Sequence, residues 1–309
     1  MELCIFVEPQ QGASYGQQLR VAQKTEELGF HGFFRSDHLL GMGEGDPRPG
    51  PTESWLTLAA LARETSRIRL GTLMTSATFR HPGLLAVSVA QVDEMSGGRV
   101  EVGIGAGWYE AEHLSFGLPF PSRGERFSRL EEQIRILTGW WAAEGPFDFS
   151  GNYYQLHDNP ALPRPLQRPH PPVIVGGFGP RRTPRLAARY ASEYNMFSPT
   201  AEEFEERVAN AHAACRDAGR DPDSLRLSVV QTLACGRDEE SARVRAARIG
   251  RDLEDMRARD AGGTPPELIA RLSGWANRGV ARVYLQLLDI DDIEQVELVG
   301  SEVLPAFAG

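Results

Sequence analysis

The sequence predicts an α/β fold of the (β/α)8 barrel class. Three observations predict it. Strand and helix patterns alternate along nearly the whole chain. The strands are short and continuously apolar, as a parallel sheet covered by helices requires. Eight of them, each followed by a helix, fit the 309 residues as one domain spanning 1–309. A doubly wound, Rossmann-like sheet is the structural alternative.

Leu3 to Val7 is the first strand. MELCIFVEPQ has no basic start, and Glu2 and Glu8 interrupt its apolar run, so it is not a signal peptide. A helix runs from about Gly16 to Leu28, and Gly32 to Arg35 is the second strand. The Gly/Pro-rich loop from Gly41 to Pro51 is read as a lid over substrate. A helix from about Glu53 to Thr65 leads to the third strand, Ile68 to Thr75. The next helix, about Leu84 to Met95, ends at SGGR with Gly97 as its C-cap. Val100, Val102 and Ile104 alternate in the fourth strand, which breaks into Gly103, Gly105 and Gly107.

A helix from about Arg123 to Trp141 precedes a Pro- and aromatic-rich stretch, Gly145 to Pro172. That stretch is too long for an ordinary connection and is read as an insertion at the C-terminal face. Trp140, Trp141, Phe147, Phe149, Tyr153 and Tyr154 are expected to pack it, with either tyrosine in reach of the pocket. Val173 to Val175 is the fifth strand, followed by a helix from about Thr183 to Ala191. A strand at Tyr194 to Phe197, a helix at Glu202 to Ala218 and a strand at Leu225 to Ala234 come next. One helix is expected from Glu239 to Arg259 and another from Pro266 to Arg278. Val283 to Leu287 is the eighth strand, and the last helix runs from about Asp292 to Val303.

Composition narrows the function. No apolar run approaches the roughly 20 residues that cross a bilayer, so no membrane partner and a cytoplasmic location are expected. A net charge of −9 disfavours nucleic acid. Cys4, Cys215 and Cys235 form no C-x-x-C, and no H-x-H or H-E-x-x-H pair exists, so no metal is expected. His31, His157, His170 and His212 are read as surface residues. Lys24 is the only lysine, which removes the P-loop lysine and argues against Schiff-base chemistry.

In a barrel, function lives at the C-terminal strand ends. The first strand ends at Glu8. The second ends in Arg35-Ser36-Asp37-His38, where the imidazole suits proton transfer and Asp37 can orient it or bond a ligand. The alternative is a turn cap beside a surface histidine. Thr75, Ser76 and Ala77 are small groups against which a flat ring can lie. Gly105, Ala106 and Gly107 let a ligand approach the backbone, and Trp108, Tyr109, Glu110, Glu112 and His113 crowd the same end. Gly176, Gly177, Phe178 and Gly179 run into Arg181, Arg182 and a helix start, an anion site by geometry and dipole. The bland readings are glycine turns with solvated side chains.

SDH after the second strand, LGTLMTSATFRHP at the third, GRVEVGIGAGWYEAEH at the fourth and PPVIVGGFGPRRTPRLAARYASEYN at the fifth resemble the luciferase-like family of flavin and deazaflavin oxidoreductases. The likeness is strongest to members using coenzyme F420, a deazaflavin with a phospholactyl-polyglutamate tail. It implies a TIM barrel with the cofactor in the C-terminal mouth. It implies a bulge at Thr75 and its neighbours against the ring, often with a non-prolyl cis peptide. It implies cofactor contacts from Asp37, Thr75, Ser76, Ala77, Gly105, Ala106 and Gly107. Gly176, Gly177, Phe178 and Gly179 would hold the cofactor phosphate, with Arg181 or Arg182 near. His38 and Asp37 would be catalytic, and Glu8, Trp108, Glu112 and His113 would face a small-molecule or peptide-like organic substrate. Trp108 stands where sugar-phosphate-oxidising members carry a glutamate, which speaks against such a substrate. An FMN-dependent monooxygenase and a non-catalytic deazaflavin-binding protein are the other readings. Dimerisation is common in the family, so a homodimer is an open expectation.

Overall fold

The computed structural model describes residues 1–43, 45–177 and 179–307. Its elements follow in chain order. They begin with β1 (Glu2–Val7), α1 (Tyr15–Leu28), β2 (Gly32–Arg35), α2 (Ser54–Glu64), β3 (Arg69–Ser76), α3 (Pro82–Ser96) and β4 (Val100–Gly105). Next come α4 (Glu110–Ser115), α5 (Arg123–Ala142), β5 (Phe147–Ser150), β6 (Gln155–Asn159), β7 (Val173–Gly176), α6 (Arg182–Tyr190) and β8 (Glu193–Phe197). The remainder is α7 (Ala201–Asp217), β9 (Arg226–Cys235), α8 (Glu239–Arg248), α9 (Leu253–Arg259), β10 (Ala261–Gly263), α10 (Pro265–Ala276), β11 (Arg282–Leu287) and α11 (Ile293–Glu302).

The barrel strands pair in parallel in the order β1-β2-β3-β4-β7-β8-β9-β11, and β11 closes on β1. This is a (β/α)8 TIM barrel and excludes the open doubly wound sheet. Strand periodicity of two divides each strand between two layers. On β1, Leu3, Ile5 and Val7 join the main core, which also takes in helix residues such as Val21, Leu58 and Leu85. Cys4 and Phe6 turn inward and meet Phe34, Leu73, Ile174, Val230 and Tyr284 inside the barrel.

The opposite end of the barrel from the strand C-termini is charged. Arg282, 1% exposed in its side chain, pairs with Glu101 at 2.6 Å and with Glu193 at 3.1 Å. Tyr284 donates its hydroxyl to Glu193 at 2.7 Å. Burial pushes the Glu193 carboxyl up, whereas for Glu101 the Arg282 charge overcomes burial and holds it low, at about 2.

Three expectations differ. The stretch Glu239 to Arg259 is two helices, because Gly250 ends α8 with φ +68° and Asp252 caps α9 by accepting from the amides of Glu254 and Asp255. The short strand β10 then adds to β9. The excursion after α5 contains an antiparallel hairpin, β5–β6. Glu132 of α5 ties it down by accepting from the amides of Asn152, Tyr153 and Tyr154 at 2.7, 3.0 and 3.1 Å. Both tyrosines are held against α5 and neither reaches the barrel mouth.

Candidate active site

A cavity of about 830 Å³ opens at the C-terminal strand ends. Each barrel strand or the loop after it contributes to its wall. Glu8, Asp37, His38, Thr75, Ser76, Gly105, Ala106, Gly107, Trp108, Glu112, Gly176, Gly177 and Gly179 meet there. Phe178 lies outside the described residues. Met42 and Gly43 bring the expected lid loop to the rim.

His38 is held through Nδ1, which lies 3.1 Å from both oxygens of Glu112. Glu112 is 1% exposed and also accepts from the Leu39 amide at 3.0 Å. Burial opposes protonation of His38, but the Glu112 bond and the charges of Glu8, Glu112 and Asp37 outweigh it and raise its pKa. Among the described residues its Nε2 has no partner. Trp108 stands edge-on to the imidazole at 5.7 Å and stacks on Tyr109 at 5.3 Å.

Asp37 does not orient His38. It forms a forked ion pair with Arg80, which also grips Glu53 of the α2 start. The orienting carboxylate is Glu112, which stands behind the imidazole and less against substrate than expected. His113 is fully buried and lies behind the wall, between the rings of Phe79 and Phe120 at 5.2 and 4.7 Å. Its Nδ1 donates to the Tyr109 carbonyl at 2.7 Å, and its Nε2 meets the Thr78 hydroxyl at 2.6 Å. The Thr78 hydroxyl in turn lies 2.6 Å from the Ser76 hydroxyl, so a hydrogen-bonded chain runs from His113 to Ser76 at the cavity wall. Gly107 makes room for this chain. Its φ is +77°, and a Cβ there would sit 2.4 Å from the Ser76 hydroxyl.

The third strand carries a bulge. Its pairing with β4 shifts register between Thr72 and Thr75, and the Leu73–Met74 peptide is cis and non-prolyl. Thr75 accepts from the Trp55 indole at 3.3 Å. Ala77 is buried beneath the wall and outside the cavity lining, its carbonyl taken by Gln133.

The anion site is built differently from the expectation. Arg181 and Arg182 are exposed and leave the mouth, Arg182 bonding the Gly124 carbonyl at 3.2 Å. Arg123 and Arg126 of α5 line the cavity instead. Arg123 reaches to 3.6 Å of where a Gly179 Cβ would stand. Among the described residues the buried Arg126 Nε has no partner. Burial, then the like charge of Arg123, lower the Arg126 pKa. The buried Thr183 hydroxyl likewise has no partner among them, 3.1 Å from a Cβ built on Gly177 and 3.6 Å from one on Gly179. A glycine cradle, an orphaned hydroxyl and two guanidinium groups with no ion pair among the described residues fit a phosphate; Arg126 also donates to the Pro121 carbonyl at 2.6 Å. Arg123 and Arg126 were hidden in the sequence because RGER reads as an ordinary helix start.

A closed parallel barrel whose strand ends gather an imidazole–carboxylate pair and a recess of glycines and arginines at one mouth has the architecture of a barrel enzyme. The chain belongs to the luciferase-like monooxygenase family, whose pattern it matches over residues 1–302. It is 40% identical over 173 residues to an F420-dependent glucose-6-phosphate dehydrogenase of Microbacterium testaceum, covering 55% of this chain and 49% of that protein. It is 29% identical over 231 residues to an FMNH2-dependent dimethylsulfone monooxygenase of Pseudomonas putida, covering 74% and 61%. The chain thus spans about half to three-fifths of these relatives' length. The coenzyme F420-dependent tetrahydromethanopterin reductase of Methanopyrus kandleri superposes with a TM-score of 0.84 over 99% of both chains, at 22% identity, a likeness of fold. Among the described residues no helix is long and apolar enough to cross a membrane.

Proposed function

We propose that this chain is a coenzyme F420-dependent oxidoreductase that transfers a hydride between the deazaflavin and a C=C, C=N or C=O bond of a small organic molecule. The observation that carries the reading is His38. It is locked through Nδ1, raised toward its protonated form by Glu112, and leaves Nε2 to the cavity. When bound, the deazaflavin supplies or accepts the hydride at its C5. Gly177, Gly179, Thr183, Arg123 and Arg126 would hold its phosphate, and Ser76 would line the ring. His38 Nε2 gives a proton to the second atom of the unsaturated bond, or takes it back in the reverse direction.

Glucose 6-phosphate, the substrate of the Microbacterium relative, fits less well. Trp108 stands where the resemblance to sugar-phosphate-oxidising members implies a glutamate, and it stacks with Tyr109 into an aromatic wall beside His38. A less polar substrate suits that wall. The FMN monooxygenase stands as the second reading because the phosphate cradle serves FMN equally. Parallel titrations of the protein with coenzyme F420 and FMN test the choice, followed by turnover of reduced F420 with unsaturated compounds. Tighter FMN binding with oxygen uptake overturns the deazaflavin reading.

A further inference from the structure

Outside the mouth, α6 carries an arginine stripe that none of the chemistry above uses. Thr183, Leu186, Ala187 and Ala188 bury one face. Arg182, Arg185 and Arg189, at i, i+3 and i+7, share the other. They line a groove of about 250 Å³ against Phe127, Ser128 and Glu131 of α5. Among the described residues, one carboxylate faces these three cations there. Glu131 stands 3.8 Å from Arg189 and also accepts from the Tyr190 hydroxyl at 3.2 Å. Among the described residues the Arg185 guanidinium has no partner, and Arg182 bonds the Gly124 carbonyl and lies over the Phe127 ring with no carboxylate. Such a concentration of uncompensated cations is anomalous in a chain of net charge −9.

The groove continues the mouth. Phe127 lines both cavities. The helix that ends at the phosphate cradle is the same helix that carries the stripe, and Arg182 to Arg189 spans about 10 Å along its axis. A group esterified beyond a phosphate at Gly177, Gly179 and Thr183 would have this stripe within reach along α6. We infer that the groove between α5 and α6 is a docking track for the oligo-γ-glutamate tail of the cofactor, its successive carboxylates pairing with Arg185, Arg189 and Arg182. The assignment rests on the deazaflavin reading of the mouth. Guanidinium groups suit it because they grip carboxylates in a forked geometry. FMN ends at its phosphate and has nothing to lay in the groove, so the track selects tail-bearing cofactors.

The test uses the full chain and three ligands: F420 with a long glutamate tail, its tail-less phospholactyl form, and a free oligo-γ-glutamate peptide. The variant is Arg185→Glu/Arg189→Glu, two exposed positions whose reversal spares the fold and the cradle. The native chain is expected to bind the long-tailed cofactor about tenfold more tightly than the tail-less form, with the gap closing as salt rises. In the variant the gap disappears while tail-less affinity is unchanged. Equal affinities in the native chain, or a gap that survives charge reversal, overturn the inference. If neither deazaflavin binds, the cofactor reading fails. The groove then stands only if the peptide binds the native chain and not the variant, and it falls if the peptide binds neither.

Discussion

Replacing Thr183 with valine should move stability and ligand affinity in opposite directions. The side chain is 1% exposed, and among the described residues its hydroxyl has no hydrogen-bond partner. A buried, unmet hydroxyl costs about 1–3 kcal/mol, and valine keeps the β-branched shape without it. The ligand-free Thr183→Val protein should therefore unfold about 1 kcal/mol later, a rise in Tm of roughly 2 °C for a chain of this size. The same hydroxyl lies against Gly177 and Gly179, where a phosphate oxygen would accept from it. Hydrogen bonds to charged groups contribute about 1.5–3 kcal/mol, so affinity for F420 or FMN should fall at least about tenfold. Thermal unfolding of the ligand-free chain and a binding titration read the two arms. A variant that is less stable, or that binds the cofactor as tightly as the native chain, refutes the cradle as drawn.

Substituting His38 with asparagine should lower turnover about 10²- to 10⁴-fold and leave cofactor affinity within a few-fold, as stopped-flow and titration would show. Because the folded pKa of His38 is raised, its protonated form stabilises the fold fully below its ordinary value of 6.5 and that contribution is lost as pH rises through the folded value. The Tm gap between the native chain and His38→Asn should accordingly shrink from acid toward alkaline pH, and Glu112→Gln should shift the pH–rate inflection to lower pH. Cutting the hydroxyl relay with Thr78→Val should weaken cofactor binding about 2- to 10-fold, and should do nothing further once Ser76 is alanine; additive losses would separate the two residues. Arg282→Met leaves Glu193 buried without its cation and Glu101 with Arg69 alone, and should cost about 3–5 kcal/mol in denaturant unfolding.

The barrel was legible because its strands are apolar runs and its helices have plain ends. Ser14, Ser122 and Thr200 cap α1, α5 and α7, and Gly97 closes α3. The strand-end motifs also pointed to one mouth, because topology brings every parallel strand end to the same face. Pairings across that mouth were illegible. Asp37 and His38 are neighbours in sequence and read as partners, yet in the loop after β2 they turn to different residues, Arg80 and Glu112, 43 and 74 positions away. The arginines of the cradle failed to show for a related reason. Arg181 and Arg182 sit beside the glycines in sequence, but the first turn of α6 rotates them outward. Arg123 and Arg126 arrive from a helix more than 50 residues earlier. The break at Gly250 was missed because helical periodicity runs on either side of it.

That break has an evolutionary and engineering consequence. Ile249, Gly250 and Arg251 reach the mouth from a corner with its own small core, in which Ala242, Ala246, Leu253 and Met256 pack on Ala234 of β9. This core is separate from the two that hold the barrel shut. The corner is thus an exchangeable cassette. Its length and chemistry can be rewritten, by drift or by grafting, while the barrel, His38 and the recess at Gly177, Gly179 and Thr183 keep their places.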